Sequence, residues 1–452
     1  MMKLNYKRLT GKVITKDDFE YEEERKAWNR AIEKYPLAIV FCYEKNDIIN
    51  AINWAIENNI DIRIRSGRHN YEGYSTGDDV LVIDISRMNN IKLNEEEQTV
   101  TIEGGVRNRE LYEVLGDKNY PFPGGGCPTV GVAGFTLGGG WGYSSRMFGL
   151  GCDSLMEIEM VNYKGETIIA NHQENKDLLW ACSGGGGGNL GVITKLKFKI
   201  PNKIKMATLI NIDYPNINEK EKAYILKIWQ ENFGAMDNRI NMKMAIYNSL
   251  HKGTGIKITG LFYGSKEEAL KEIKCFKECG INGDYNLEYI TVLEANRKIQ
   301  NSHPDYEKYK SSGRFVYRKF NDEEIEKLIH IISDKPKGAE YIAISFYGLG
   351  GKIKTVGNDE TAYCHREAEA ILGIQSVWQE DKYAPINRKW VVDKYKYIKT
   401  ITKGAFINFP IEELNQFEDE YYREAIKRLR TIKQKYDPNN IFSFPQSING
   451  EK

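Results

Sequence analysis

From residue 11 to residue 170, short apolar runs of strand length alternate with segments in which apolar positions recur every three or four residues. Leu37-Ala-Ile-Val-Phe-Cys42 is an unbroken apolar run and reads as a buried strand. Over 48–56 the apolar residues Ile48, Ile52, Ala55 and Ile56 fall at helical spacing, with Asn46 and Asp47 placed to cap the start. A strand over 60–65 completes a β–α–β unit. A Gly-Lys-Val-Ile-Thr strand and a charged helix carrying Trp28 precede it. Runs at 80–86 and 99–105 add strands, 108–115 reads as a helix, and two alternating runs joined by Lys164-Gly165 predict a hairpin over 155–170. From about residue 203 the texture changes. Charged amphipathic helices at 219–233, 266–278 and 322–333 alternate with apolar–polar strands at 240–247, 255–263 and 341–347, a pattern that an antiparallel sheet with helices on one face would satisfy. A helix through 420–436 follows. The class expected is α+β.

Length and charge narrow the partners. At 452 residues the chain exceeds what one hydrophobic core usually serves, so two domains are expected. Lys and Arg number 64 against 63 Asp and Glu, which argues against a nucleic-acid or anionic-membrane partner. The first residues carry no apolar stretch suited to secretion, and no run of about eighteen apolar residues occurs, so a soluble, cytoplasmic protein is expected. Seven dispersed cysteines read as reduced thiols. Cys275 and Cys279 share a helix face without a second pair at metal-site spacing, so no metal centre is expected.

Glycine clusters carry the chemistry. Residues 120–151 include Gly124-Gly-Gly-Cys127-Pro-Thr-Val130-Gly-Val-Ala-Gly134 and Gly138-Gly-Gly-Trp141-Gly-Tyr143. So many glycines cost conformational entropy and pack no side chains, so their use is close backbone approach, and successive free N–H groups suit a pyrophosphate. A companion stretch, Arg65-Ser66-Gly67-Arg68-His69-Asn70-Tyr71-Glu72-Gly73, follows a strand-like segment, and a third, Gly184 to Gly188, leads into Gly191-Val192-Ile193. A histidine in one glycine loop and a cysteine in another point to two side chains bonded to one ligand.

RSGxHxYEG followed by GxCPTVGVxGxxLGGGxG, with DPxNxFxxPQSI near residue 448, resembles the berberine-bridge-enzyme-like flavoproteins of the vanillyl-alcohol-oxidase superfamily. The resemblance runs from about residue 9 to 448. It implies FAD bound covalently, His69 at the 8α position and Cys127 at the 6 position of the isoalloxazine ring. It further implies a discontinuous FAD domain (1–202 and 405–452) around a substrate domain (203–404). Cofactor contacts are expected from Arg65, Ser66, Gly67, Arg68 and Asn70; from Gly124, Gly125, Gly126, Thr129, Val130, Gly131, Gly134, Gly138, Gly139, Trp141 and Gly142; and from Gly191, Val192, Ile193 and Asn408. Arg68 stands where glycine is commoner, and is expected either to supply positive charge to the cofactor or to face solvent.

The same resemblance implies oxidation of a sugar or other bulky alcohol, with Val130 at the position associated with oxygen access and hence peroxide as product. A dehydrogenase, an oxidative ring-closing enzyme, and a flavin-loaded saccharide-binding protein without turnover are the alternatives. The last is motivated by Asn408-Phe409, where many relatives carry Asn-Tyr with the tyrosine as base, because a phenyl ring accepts no proton. Tyr71, Tyr143 and Tyr347 remain as candidate bases, Tyr71 and Tyr347 foremost, with Trp141 as a pocket aromatic and Gln375 able to orient a hydroxyl.

Overall fold

The computed structural model describes residues 4–450. Three sheets organise it. A four-stranded sheet runs Lys12–Thr15, Ala38–Phe41, Leu81–Asp84, Ile62–Arg65, the last three strands parallel. The helix Lys45–Asn58 makes the crossover and buries Ile48, Ala51, Ile52, Trp54 and Ala55. It starts earlier than the pattern suggests. Asp47 lies inside the first turn, where its carboxylate accepts the N–H groups of Tyr43 (2.9 Å) and Glu44 (3.3 Å). A five-stranded antiparallel sheet takes the order Ile91–Asn94, Thr99–Glu103, Val192–Lys199, Leu155–Val161, Thr167–Asn171, and the last two strands form the expected hairpin.

The seven-stranded sheet is antiparallel throughout, in the order Asp284–Thr291, Met206–Pro215, Gly253–Phe262, Ile240–Ser249, Ala339–Gly348, Ala370–Trp378, Lys308–Val316. Successive side chains of a strand point to opposite faces. Ile210, Ile212 and Tyr214 therefore join the large core that includes Ile225, Leu226 and Trp229 of helix Glu219–Asn232 and Leu328 of helix Asp322–Ser333, while Ala207 and Leu209 pack with Tyr143 and Phe148 of the glycine-rich segment. Helices are not confined to one face. Val292–Asn301 lies on the second face, with Val292, Ala295 and Ile299 against Ala207 and Leu209, and approaches helix Asn108–Asp117 so closely that a Cβ on Gly116 would meet Leu293 Cβ at 2.9 Å.

Three other expectations are corrected. The charged helix ends at Glu24; Trp28 follows at a bend outside it, where its N–H donates to the Arg68 carbonyl (3.0 Å) and ties it to the histidine loop. The helix expected over 266–278 breaks at the fully buried Ile273 into Lys266–Glu272 and Lys274–Lys277. The one expected over 420–436 is interrupted at Arg423, whose φ of 50° no right-handed helix accommodates.

Buried charges join the parts. Arg366 donates two parallel bonds to Asp153 (2.7 and 2.8 Å), with 1% and 4% of the two side chains exposed. Arg146, from the glycine-rich segment, donates to the carbonyls of Phe233 (2.8 Å) and Met236 (2.9 Å). In the returning C-terminal segment, Lys433 donates to the carbonyls of Asn189 and Phe442 and to Asp437, each at 2.7 Å and all out of contact with water. His365 stacks on Phe315 (4.1 Å), accepts from the Tyr317 hydroxyl at Nδ1 (2.7 Å) and faces the Glu420 and Tyr421 carbonyls with Nε2 (3.1 Å), so the segment is held there by a neutral imidazole.

Arg366→Met should lower unfolding stability by about 3–5 kcal/mol, since it strands the Asp153 carboxylate in the interior. Adding Asp153→Asn should recover much of that loss. Urea unfolding of the two single variants and the double variant checks this, and simple additivity would show that the pair is not coupled.

Candidate active site

Two loops meet backbone to backbone. Strand Ile62–Arg65 ends in the turn Ser66-Gly67-Arg68-His69, and the segment Cys127–Gly131 runs beside it. A Cβ on Gly67 would stand 2.2 Å from Gly131 N, and one on Gly131 2.5 Å from Ser66 Oγ, so only glycine fits at either place. The contact brings His69 Nε2 to 2.8 Å from the Thr129 hydroxyl and leaves Cys127 Sγ 4.0 Å from the same oxygen. Trp28 stacks on the His69 ring at 5.0 Å. Burial, with the charges of Arg107 and His303, pushes the His69 imidazole down to about 3, and burial raises the Cys127 thiol. Both groups are therefore neutral near pH 7, and Nδ1 is the imidazole nitrogen left without a partner among the described residues.

These residues line a cavity of about 430 Å³. Of the residues singled out from the sequence, it brings together Ser66, Gly67, Arg68, His69, Asn70, Tyr71, Gly125, Gly126, Cys127, Val130, Gly131, Gly134, Trp141, Tyr143, Gly191, Ile193, Tyr347, Gln375 and Asn408. Others stand behind it. Arg65 is spent on Asp84 (2.6 Å) and the Glu24 carbonyl (2.8 Å). Gly138 gives room to Asn408, whose Oδ1 would lie 2.0 Å from an added Cβ, and a Cβ on Gly142 would stand 1.9 Å from the Gly124 carbonyl oxygen. Gly139 abuts Tyr363, and Val192 belongs to the core beneath the sheets. Arg68, held at φ 65°, pairs with Glu24 (2.5 Å) and lies 3.7 Å from Asp84, so its charge is committed to those carboxylates.

The wall across from His69 is aromatic. Tyr71 lies face to face with Phe409 (5.0 Å, 5°) and edge-on to Tyr309 (5.3 Å); Trp141 meets Tyr143 (5.2 Å) and Tyr347 (4.9 Å) edge-on and donates its indole N–H to the Gly348 carbonyl (2.7 Å). Burial pushes the phenols of Tyr71, Tyr143 and Tyr309 well above their ordinary range, which counts against them as bases. Gln375 lies on strand Ala370–Trp378 opposite Ser311 and Ala343. Sequence reasoning missed Glu307, Lys243 and His303, which line the same cavity. Burial raises the Glu307 carboxyl to about 7, partly offset by Lys243. The one trace in the sequence is a Tyr306-Glu-Lys-Tyr309 run entering a strand, and no spacing marks it as chemical.

The site fits a flavin dinucleotide. The buried Trp28 Nε1 and Tyr74 hydroxyl, both on the cavity wall, have no hydrogen-bond partner, and a Cβ on Gly134 would meet nothing within 4 Å. Ser66, Gly67, Gly131 and Gly134 with His69 and Cys127 would hold the ring system, and Tyr74, Gly186, Gly187, Gly188 and Phe444 line the remainder of the cavity. Among the described residues no three His, Cys, Asp or Glu gather as a metal site, and no helix is long and apolar enough to cross a membrane.

A glycine-lined cavity bordered by the two glycine loops and by strands of the seven-stranded antiparallel sheet, with a histidine and a cysteine on its wall, defines a flavin-dependent oxidoreductase. The FAD binding domain model matches residues 36–171 and the "Berberine and berberine like" model residues 405–449. The chain is 34% identical to the FAD-linked oxidoreductase YvdP of Bacillus subtilis over 98% of each chain. It is 25% identical to the xylooligosaccharide oxidase of Thermothelomyces thermophilus, covering 96% of this chain and 92% of that one. The solved structure of Physcomitrella patens BBE-like 1 superposes with a TM-score of 0.89 at 27% identity over 98% of each chain. The protein belongs to the berberine bridge enzyme-like FAD-linked oxidoreductases.

Gly67→Ala should part the two loops, lower stability by more than about 2 kcal/mol and abolish flavin uptake. Gly134→Ala, in helix Val132–Leu137 with open space ahead of it, should leave the fold intact and lower flavin content alone. Thermal unfolding read beside the ratio of flavin to protein absorbance separates the two outcomes.

Proposed function

We propose that the protein is an FAD-dependent oxidase of a carbohydrate or a related bulky secondary-metabolite alcohol, with the flavin fastened to His69 and Cys127 and dioxygen as acceptor. The observation that carries this reading is the convergence of His69 and Cys127, 58 residues apart in sequence, on the Thr129 hydroxyl at one cavity wall. A half-buried neutral imidazole whose Nδ1 has no partner among the described residues and a thiol beside it are two nucleophiles at one place, which suits two bonds to one ring.

When bound, the flavin would supply a two-electron acceptor for the substrate and a donor to dioxygen. The chain supplies position. With two tethers the ring needs no protein roof, so the substrate side can stay wide, and Tyr71, Trp141, Tyr143 and Tyr347 offer flat faces to the C–H surfaces of a sugar ring. Gln375 and Ser311 supply the amide and hydroxyl that orient its hydroxyl groups. Val130 lines the same cavity with a small branched side chain, which supports oxygen access. Xylooligosaccharide oxidase and the carbohydrate oxidase of Microdochium nivale, whose structure is similar in fold, act on substrates of this kind by name. Phe409, stacked on Tyr71, favours one second reading, a flavin-loaded saccharide-binding protein without turnover.

Acid-denatured protein should keep its yellow colour through a filter, His69→Ala and Cys127→Ala should each keep it through the remaining link, and the double variant should lose it. Mass spectrometry of the peptides holding residues 69 and 127 reads the same outcome. Mono- and oligosaccharides added to the native protein should bleach the flavin without air and release peroxide in air. Bleaching with slow recovery in air would make it a dehydrogenase, and tight saccharide binding with no bleaching would support the second reading.

A further inference from the structure

We propose that Glu307 is the general base of this site, accepting the substrate hydroxyl proton that Phe409 cannot. The inference rests on the oxidase reading above. Among the described residues that line the cavity, Glu307 is the one carboxylate. It sits immediately before strand Lys308–Val316, at the seam between the sheet and the flavin-binding portion. Its backbone is held from across that seam: the Arg30 N–H donates to the Glu307 carbonyl (2.7 Å), and the Glu307 N–H donates to the Trp28 carbonyl (3.4 Å). Trp28 is the residue stacked on His69, so the segment that seats the imidazole also seats the carboxylate.

The Glu307 side chain makes no hydrogen bond and no ion pair among the described residues. Lys243, from strand Ile240–Ser249, lines the same cavity with its ammonium 4.8 Å from the Tyr347 ring centre and likewise forms no ion pair there. A carboxylate left free of structural partners, on a wall where phenols are buried and stacked, is the group available to a proton. The charged and titratable groups around it are Lys243 and Tyr341 from the sheet, Tyr309 on its own strand, His303 on its own loop, and Tyr71 and Cys127 from the two glycine loops. Of these only Lys243 is a fixed positive charge, and it biases the carboxyl toward the ionised form that a base requires.

In the step assigned to Glu307 the substrate O–H bond breaks and its proton goes to a carboxylate oxygen. The electron pair of that bond forms the carbonyl as the carbon-bound hydrogen leaves, as hydride, to the flavin acceptor. The substrate loses two electrons and two hydrogens, and the flavin and Glu307 together take them up.

The test uses the full-length flavin-loaded protein, with Glu307→Gln, Glu307→Asp and Lys243→Met. Difference infrared spectra should show a carboxyl that titrates near pH 7 in the native protein. It should be missing from Glu307→Gln and titrate at higher pH in Lys243→Met. With an alcohol that bleaches the native flavin, Glu307→Gln should slow anaerobic bleaching by about 10²–10⁴-fold with unchanged substrate Kd, and Glu307→Asp should restore a pH-dependent rate. Titration in the ordinary range of about 4, or bleaching of Glu307→Gln within roughly threefold of native, overturns the inference. If no alcohol bleaches the native protein, the oxidase reading falls and this role with it; if native and Glu307→Gln bleach alike, this inference alone falls.

Discussion

The site depends on one close approach, that of the Ser66-Gly67 turn to the Thr129–Gly131 backbone. Side chains on both loops would ordinarily hold two such segments several ångströms further apart. With hydrogen in place of Cβ at Gly67 and Gly131, peptide groups come into direct contact, and His69 and Cys127 are displayed on one wall with Thr129 between them. Glycine is costly in an unfolded chain, so its use here marks positions where any other residue would change the separation of the two nucleophiles. Gly134 is the opposite case, since nothing opposes a methyl there in the protein itself, and its openness is the shape of a ligand.

Around this contact the chain uses buried charge as its joinery. Arg366 with Asp153 and Arg314 with Glu420 (2.9 Å) each pair an arginine from the portion built on the seven-stranded sheet with a carboxylate from outside it, and Lys433 reaches the Asn189 and Phe442 carbonyls. Removing such groups from water costs several kcal/mol per ion, so none of these arrangements is favourable until all its members are present. They add little net stability compared with an apolar replacement. What they do is penalise every partly assembled or mis-seated arrangement, which keeps the cavity walls in register.

Much of this was legible in the residues. The periodicity of 48–56, the hairpin about Lys164-Gly165 and the apolar–polar alternation of 240–263 reflect burial patterns that local spacing records. The glycine loops were legible because close approach demands a residue that little else explains. What escaped was non-local. Trp28 reads as helical, yet backbone bonds to Arg68 and Glu307, far away in sequence, hold it at a bend against His69. Arg65 reads as a cofactor contact because it adjoins the turn, but strand alternation sends its side chain inward to Asp84. Glu307 is one glutamate among many, and what sets its surroundings, Trp28 and Lys243, comes from two distant parts of the chain.

The returning segment has a consequence for biosynthesis. Phe442, Ser443, Phe444 and Gln446 form one side of the cavity, tied to the first glycine loop's strand by the Arg63 guanidinium donating to the Ser443 carbonyl (2.6 Å). While residues 203–404 are still being made, the nascent cleft is a trough lacking that side, because neither Lys433 nor the Phe442 carbonyl it reaches exists yet. A ligand that needs the whole cavity is therefore held only after the returning segment has packed, and that segment acts as the latch.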